Sequence, residues 1–79
     1  MSPVYLIQHL AESLVDRPSA VEVRELDGSP SKIIELRVDP GDLGKVIGRR
    51  GHTARALRTV LAAACARAGR RYVLNIADE

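Results

Sequence analysis

Residues 44 to 57 read GKVIGRRGHTARAL, with three of the chain's six glycines inside eight positions, beside Lys45, Arg49, Arg50, His52 and Arg55 and without a carboxylate. Glycine takes side-chain bulk away from a stretch that a ligand must approach, and guanidinium groups bind phosphate oxygens in pairs. If a long helix opens after Gly51, its unbonded N–H groups and its dipole add partial positive charge on the same side. The chemistry on offer is anion binding. A GxxG turn alone says little, since a helix-turn-helix corner also uses glycine for geometry only. Gly44 adds weight, because glycine inside a short helix costs about 1 kcal/mol relative to alanine. That implies either close helix packing or close approach of a ligand backbone.

The distribution of charge favours a polyanion. Net charge is only +2, yet residues 1–40 carry −3 and residues 41–79 carry +5. Between Leu43 and Ala77 there are eight cations and no acid. A merely solvated helix face usually mixes signs, whereas a one-sided basic surface attracts polyanions even at small net charge. Arg55 and Arg58 recur at i, i+3 spacing on one flank of the expected long helix, where they would line one side of a groove with Lys45.

Other chemistries find little support. GDLGKV lacks both the spacing and the Ser/Thr of a phosphate-binding Walker loop, and Gly44, Gly48 and Gly51 do not spell GxGxxG. Two distant histidines make no metal motif, and a lone Cys65 makes neither an internal disulfide nor a cysteine cluster. Cys65 reads as a small buried side chain, and Asp39 and Asp42 as helix caps. We expect no enzyme activity, no cofactor and no metal. VLAAACA at 60–66 is too short to span a membrane and the start does not read as a leader, so a soluble cytoplasmic protein is expected.

The elements that must hold the turn follow from periodicity. Ser2 and Pro3 are suited to cap and open a first helix, with Ile7, Leu10, Ala11, Leu14 and Val15 on its apolar side, stopping near DRP. Val21 and Val23 alternate with Glu22 and Arg24 in a strand that ends at the turn DGSP. A second strand places Ile34, Leu36 and Val38 opposite Ile33, Glu35 and Arg37. Asp39 and Pro40 begin a short helix, with Asp42 completing a capping box, and that helix must end by Gly48. A long helix then runs to about Ala68, with Ala54, Leu57, Leu61, Ala64 and Ala68 on one stripe and Gly69 ending it. Tyr72, Leu74 and Ile76 alternate in a last strand. The order is αββααβ, a single α+β domain with three helices on one face of a three-stranded mixed sheet. Tyr5 and Tyr72 are expected to pack and not to stack on bases.

GKVIGRRG followed by HTARALRTV resembles the signature of a KH domain, a single-stranded nucleic-acid module whose GxxG loop clamps about four nucleotides. The αββααβ order is that of the type II arrangement. More narrowly, PGDLGKVIGRRG and the short chain resemble the small bacterial KhpA-type RNA-binding proteins, over essentially all of residues 1–79. The resemblance implies RNA contacts at Gly44, Lys45, Val46, Ile47, Gly48, Arg49, Arg50, Gly51, His52, Arg55, Leu57 and Arg58, although His52 reads equally well as a plain surface residue. It also implies an RNA chaperone or post-transcriptional regulator acting with a KhpB-type partner, also called Jag or EloR, in cell-wall homeostasis and cell-length control. Three residues after the loop, where KH domains commonly carry a large aliphatic, stands Ala54, which implies a shallow groove floor.

Two other classes compete. Ala62, Ala63 and Ala66 lie off the apolar stripe, where small residues let another helix approach or simply favour helix. With the resemblance, they point to a homodimer or a heterodimer with a second KH protein, and to a dimerisation module with little RNA binding as an alternative. A helix-turn-helix reader of duplex DNA would use His52, Thr53 and Arg55 at the start of its second helix.

Overall fold

The computed structural model describes residues 2–28, 30–67 and 69–79. Ser29 of the expected DGSP turn and Ala68 of the expected stripe lie outside the described residues.

Helix α1 (Pro3–Leu14) starts as its first residues dictate. Ser2 Oγ accepts the Tyr5 N–H at 3.1 Å, and Pro3 fills a position whose N–H would have no helical partner. Ile7 and Ala11 are buried and Leu10 is half-buried, as expected, but Leu14 is exposed. The helix ends at Leu14, beside the DRP signal as expected. Val15 is already extended and packs against the core, while Leu14 stays exposed.

Strands β1 (Glu22–Leu26) and β2 (Lys32–Arg37) pair antiparallel, with Val23 opposite Leu36 and Arg24 opposite Glu35. Strand β3 (Tyr72–Ile76) joins β2 in parallel, giving the order β1-β2-β3. Val21 and Val38 fall just outside their strands but still pack inward. The period of two sends Ile34, Leu36, Tyr72, Leu74 and Ile76 under the helices and leaves Glu22, Arg24, Arg37 and Asn75 on the open face. That open face mixes signs: Arg24 pairs with Glu35 at 3.0 Å and Lys32 with Glu25 at 3.0 Å.

The expected short helix arrives in two parts, a 3₁₀ turn at Pro40–Asp42 and then α2 (Leu43–Ile47). Asp39 Oδ1 caps it by accepting the Gly41 N–H at 2.8 Å. Asp42 does not complete a capping box. Its backbone N–H goes to the Asp39 carbonyl at 2.7 Å, and its buried carboxylate accepts the Arg17 N–H at 3.0 Å. It thereby ties the segment after α1 to the entrance of α2. Burial works to raise the Asp42 carboxyl pKa, but N–H groups of Arg17 and Asp16 and the Lys45 ammonium outweigh it and hold the carboxyl below its ordinary value.

Helix α3 (His52–Ala66) buries Ala54, Leu57, Leu61 and Cys65. Cys65, not Ala64, is the buried neighbour of the stripe, although both stand roughly 50° from the line through Ala54, Leu57 and Leu61. Ala64 is exposed. Burial pushes the Cys65 thiol pKa up, with only partial opposition from Arg70, in keeping with an inert core residue. Gly69, at φ +69°, ends the helix: its N–H reaches the Ala66 carbonyl and the Arg70 N–H reaches that of Cys65, both at 3.0 Å. Among the described residues no helix is long and apolar enough to cross a membrane.

Candidate nucleic-acid interface

Helices α2 and α3 are joined by a single 3₁₀ turn, Arg49–Gly51. Gly48 (φ 76°, ψ 171°), Arg50 (φ 56°, ψ 24°) and Gly51 (φ 75°, ψ 15°) all have positive φ, so the chain reverses within four residues. The Gly48 N–H closes α2 on the Gly44 carbonyl at 2.8 Å, and the Gly51 N–H returns to the Gly48 carbonyl at 3.1 Å. Gly48 is required twice over. Its backbone angles belong almost solely to glycine, and a Cβ there would overlap the Thr53 side chain and sit 2.8 Å from the Thr53 nitrogen. Thr53 therefore locks the start of α3 against the turn, a role that its sequence position did not signal. At Gly51 and Gly44 a Cβ would meet nothing within 4 Å. For Gly44, on the exposed side of α2, this removes helix packing as an explanation.

Arg50 holds a left-handed conformation that costs a side-chain-bearing residue roughly 1–2 kcal/mol. It stands beside Arg49 at the tip of the turn, and both side chains are exposed. His52 and Arg55 are exposed too. Arg49, Arg50 and Arg55 form no ion pair among the described residues.

The other two cations are engaged. Lys45 Nζ lies 3.2 Å from Asp16 and 3.4 Å from Asp42, and the bond to Asp16 contributes most to raising its pKa. Arg58 turns away from Arg55 toward β3, where Nε donates to the Leu74 carbonyl at 3.3 Å and the Glu79 carboxylate takes Nη2 at 2.7 Å and Nη1 at 3.4 Å. Arg55 and Arg58 thus do not form one wall. The Asp42–Lys45 contact was visible as an i, i+3 pair, whereas nothing in the sequence pattern brings Asp16 to Lys45 or Glu79 to Arg58.

The expected aliphatic floor is mostly below the surface. Val46 has no accessible surface, Leu57 is 5% exposed and Ala54 1%, so these three back the turn from the core; Ile47 alone is half-exposed. Open apolar surface lies elsewhere, in a groove of about 260 Å³ between α1 and α3 lined by Leu10, Leu14, Thr53, Ala56, Leu57 and Val60. Exposed Leu14, the last residue of α1, forms part of its wall. Ala62, Ala63 and Ala66 are exposed on α3. Tyr72 packs in the sheet, but Tyr5 is exposed and stacks on His9 at 6.1 Å between ring centroids.

An αββααβ chain with a mixed three-stranded sheet and a GxxG turn between its second and third helices has the architecture of a KH domain. The chain belongs to the family described as KhpA/KhpB, KH domain, whose model matches residues 5–76. It is similar to the RNA-binding protein KhpA of Aquifex aeolicus, with 48% identity over 92% of each chain. The RNA-binding protein KhpA of Borreliella burgdorferi is 47% identical over 95% of this chain and 92% of its own. That of Halalkalibacterium halodurans is 51% identical over 92% and 96% respectively.

Proposed function

We propose that this protein binds single-stranded RNA at the Gly48–Gly51 turn, with no catalytic activity of its own. One observation carries the reading: two exposed arginines sit on a turn held by positive φ angles, at the mouth of a helix, in a stretch without an acid from Leu43 to Ala77. Phosphates would approach Gly44, Gly48 and Gly51 along the bare main chain, receive Arg49 and Arg50, and pass Arg55 and His52 on α3. The relatives named as RNA-binding proteins support the choice of RNA over other polyanions.

With Lys45 and Arg58 held by carboxylates, about three arginines are available. At roughly 0.7 per phosphate contact on single strands, the log–log salt slope is then about −2. Binding is weak and loose in sequence preference, because the aliphatic residues behind the turn offer little open surface to bases.

Family resemblance extends the proposal to a cytoplasmic RNA chaperone or post-transcriptional regulator that pairs with itself or with a KhpB-type protein, in cell-wall homeostasis and cell-length control. The pairing surface is the α3 side bearing Ala62, Ala63 and Ala66; exposed Val60, one turn before Ala63, supports a protein contact there.

The test is to titrate single-stranded RNA, single-stranded DNA and duplex DNA against the protein and its Arg49→Asp/Arg50→Asp variant, with sedimentation run in parallel. RNA binding lost in the variant, with dimerisation intact, is the expected result. RNA binding that survives the variant refutes the turn as the site, and a preference for duplex DNA refutes the single-strand reading. A monomer at high concentration, unaffected by Ala63→Arg, refutes the dimer.

A further inference from the structure

A second cationic site lies at the opposite end of α3. Pro30, Lys32, Arg70, Arg71 and Tyr72 line a cleft of about 320 Å³ where the chain leaves α3 and enters β3. A cation in the last turn of a helix is explained by the dipole, and Arg67 fits that account. Arg70, whose N–H still closes the helix on the Cys65 carbonyl, shares that account in part, but Arg71, beyond the turn at Gly69, does not. Both are exposed, and neither forms an ion pair among the described residues. Lys32 contributes less charge, because Glu25 holds it at 3.0 Å.

We infer that Arg70 and Arg71 form a second phosphate-binding site, which holds the same single strand after it has passed the turn. This rests on the RNA reading above. The fifteen residues of α3 separate the two sites by roughly 22 Å. Neither α3 nor the turns at its ends contain an acid, so in the unpaired protein a strand running along this helix meets no repulsive side chain of the helix on the way, and it competes with pairing for the face that bears Ala62, Ala63 and Ala66. The open face of the sheet, with its paired charges, offers no such path. A strand of about four nucleotides, the length a GxxG loop clamps, occupies the turn alone. A longer strand engages both ends.

The experiment compares oligouridylates of about four nucleotides and roughly three times that length, on the wild type, Arg70→Gln/Arg71→Gln and Arg67→Gln, each checked by circular dichroism. The double variant is expected to weaken the long strand on the order of tenfold, with a loss of about 1.4 from the salt slope, and to leave the short strand unchanged. Arg67→Gln, outside the cleft, is expected to leave both unchanged. Wild-type affinity for the long strand in the double variant overturns the site. Equal losses on both strands also overturn it, because they report a general field. Polyglutamate that displaces the long strand at equal charge assigns the cleft to an acidic protein segment and overturns the RNA assignment. If the wild type binds only the long strand, and the double variant abolishes that, the cleft stands and the turn reading falls.

Discussion

Replacing Gly48 and Gly51 separately by alanine divides the demands of the turn into two measurable terms. At Gly51 the added methyl meets nothing within 4 Å, so only the left-handed conformation is penalised, at roughly 1–2 kcal/mol. At Gly48 the backbone sits in a region almost closed to other residues, which costs on the order of 1–3 kcal/mol. There the new Cβ also overlaps Thr53, and overpacking of that kind adds roughly 1–3 kcal/mol. A 79-residue domain has a total stability of about 4–12 kcal/mol, so Gly48→Ala removes much of it and Gly51→Ala only a part. Urea denaturation followed by far-ultraviolet circular dichroism reads both, and thermal melts should show Gly51→Ala lower by about 5–15 °C. Adding Thr53→Ala to Gly48→Ala should recover part of the loss. Equal costs at Gly48 and Gly51 would refute the packing account of Thr53, and a stable Gly48→Ala protein would refute the backbone account as well.

Three further outcomes are expected. Gly44→Ala, on an open helix surface, should stabilise the fold by up to about 1 kcal/mol while weakening RNA binding in fluorescence anisotropy; destabilisation would mean that Gly44 is packed after all. Glu79→Gln should release Arg58, tighten RNA binding and make the salt slope steeper by about 0.7; an unchanged slope would leave Arg58 outside the interface. The lowered pKa of Asp42 means that its contribution is complete above the unfolded value of about 3.9 and is lost as pH falls through the lower folded value. Asp42→Asn should therefore be less stable than the wild type at neutral pH, with the gap closing below about pH 4, and a gap independent of pH would sink that assignment.

Periodicity carried most of the architecture. Alternation in β2 and β3 and the stripe of α3 are local patterns, each repeated several times, and the helices and strands they imply are present in the expected order. What was not legible depends on distant partners or on single turns. Leu14 continues the apolar pattern of α1, but it is the last helical residue and no packed neighbour covers it, which the local pattern does not reveal. Ala64 and Cys65 are both small, adjacent and almost equally far from the stripe in helical phase, so only tertiary packing separates them. Asp42 appeared to be a local cap because its true partner, the Arg17 N–H, lies 25 residues away. In the candidate site the same division holds: the positive φ angles at Gly48 and Gly51 follow from residue type, while that of Arg50 and the loss of Lys45 and Arg58 to carboxylates depend on the surrounding structure.

The parallel pairing of β2 with β3 has a consequence for the order in which the molecule assembles. β1 and β2 are neighbours in sequence and can zip as a hairpin, but β3 reaches β2 only after the entire stretch from Val38 to Arg71 has been folded back. Closing a loop of that length costs about 3 kcal/mol in chain entropy before a single bond of the parallel ladder forms. The Gly48–Gly51 turn lies about a third of the way along that loop, where its tight reversal shortens the path that the chain must search. If that reversal forms before the parallel ladder, Gly48→Ala slows refolding as well as lowering stability, and stopped-flow refolding of the variant reads the difference.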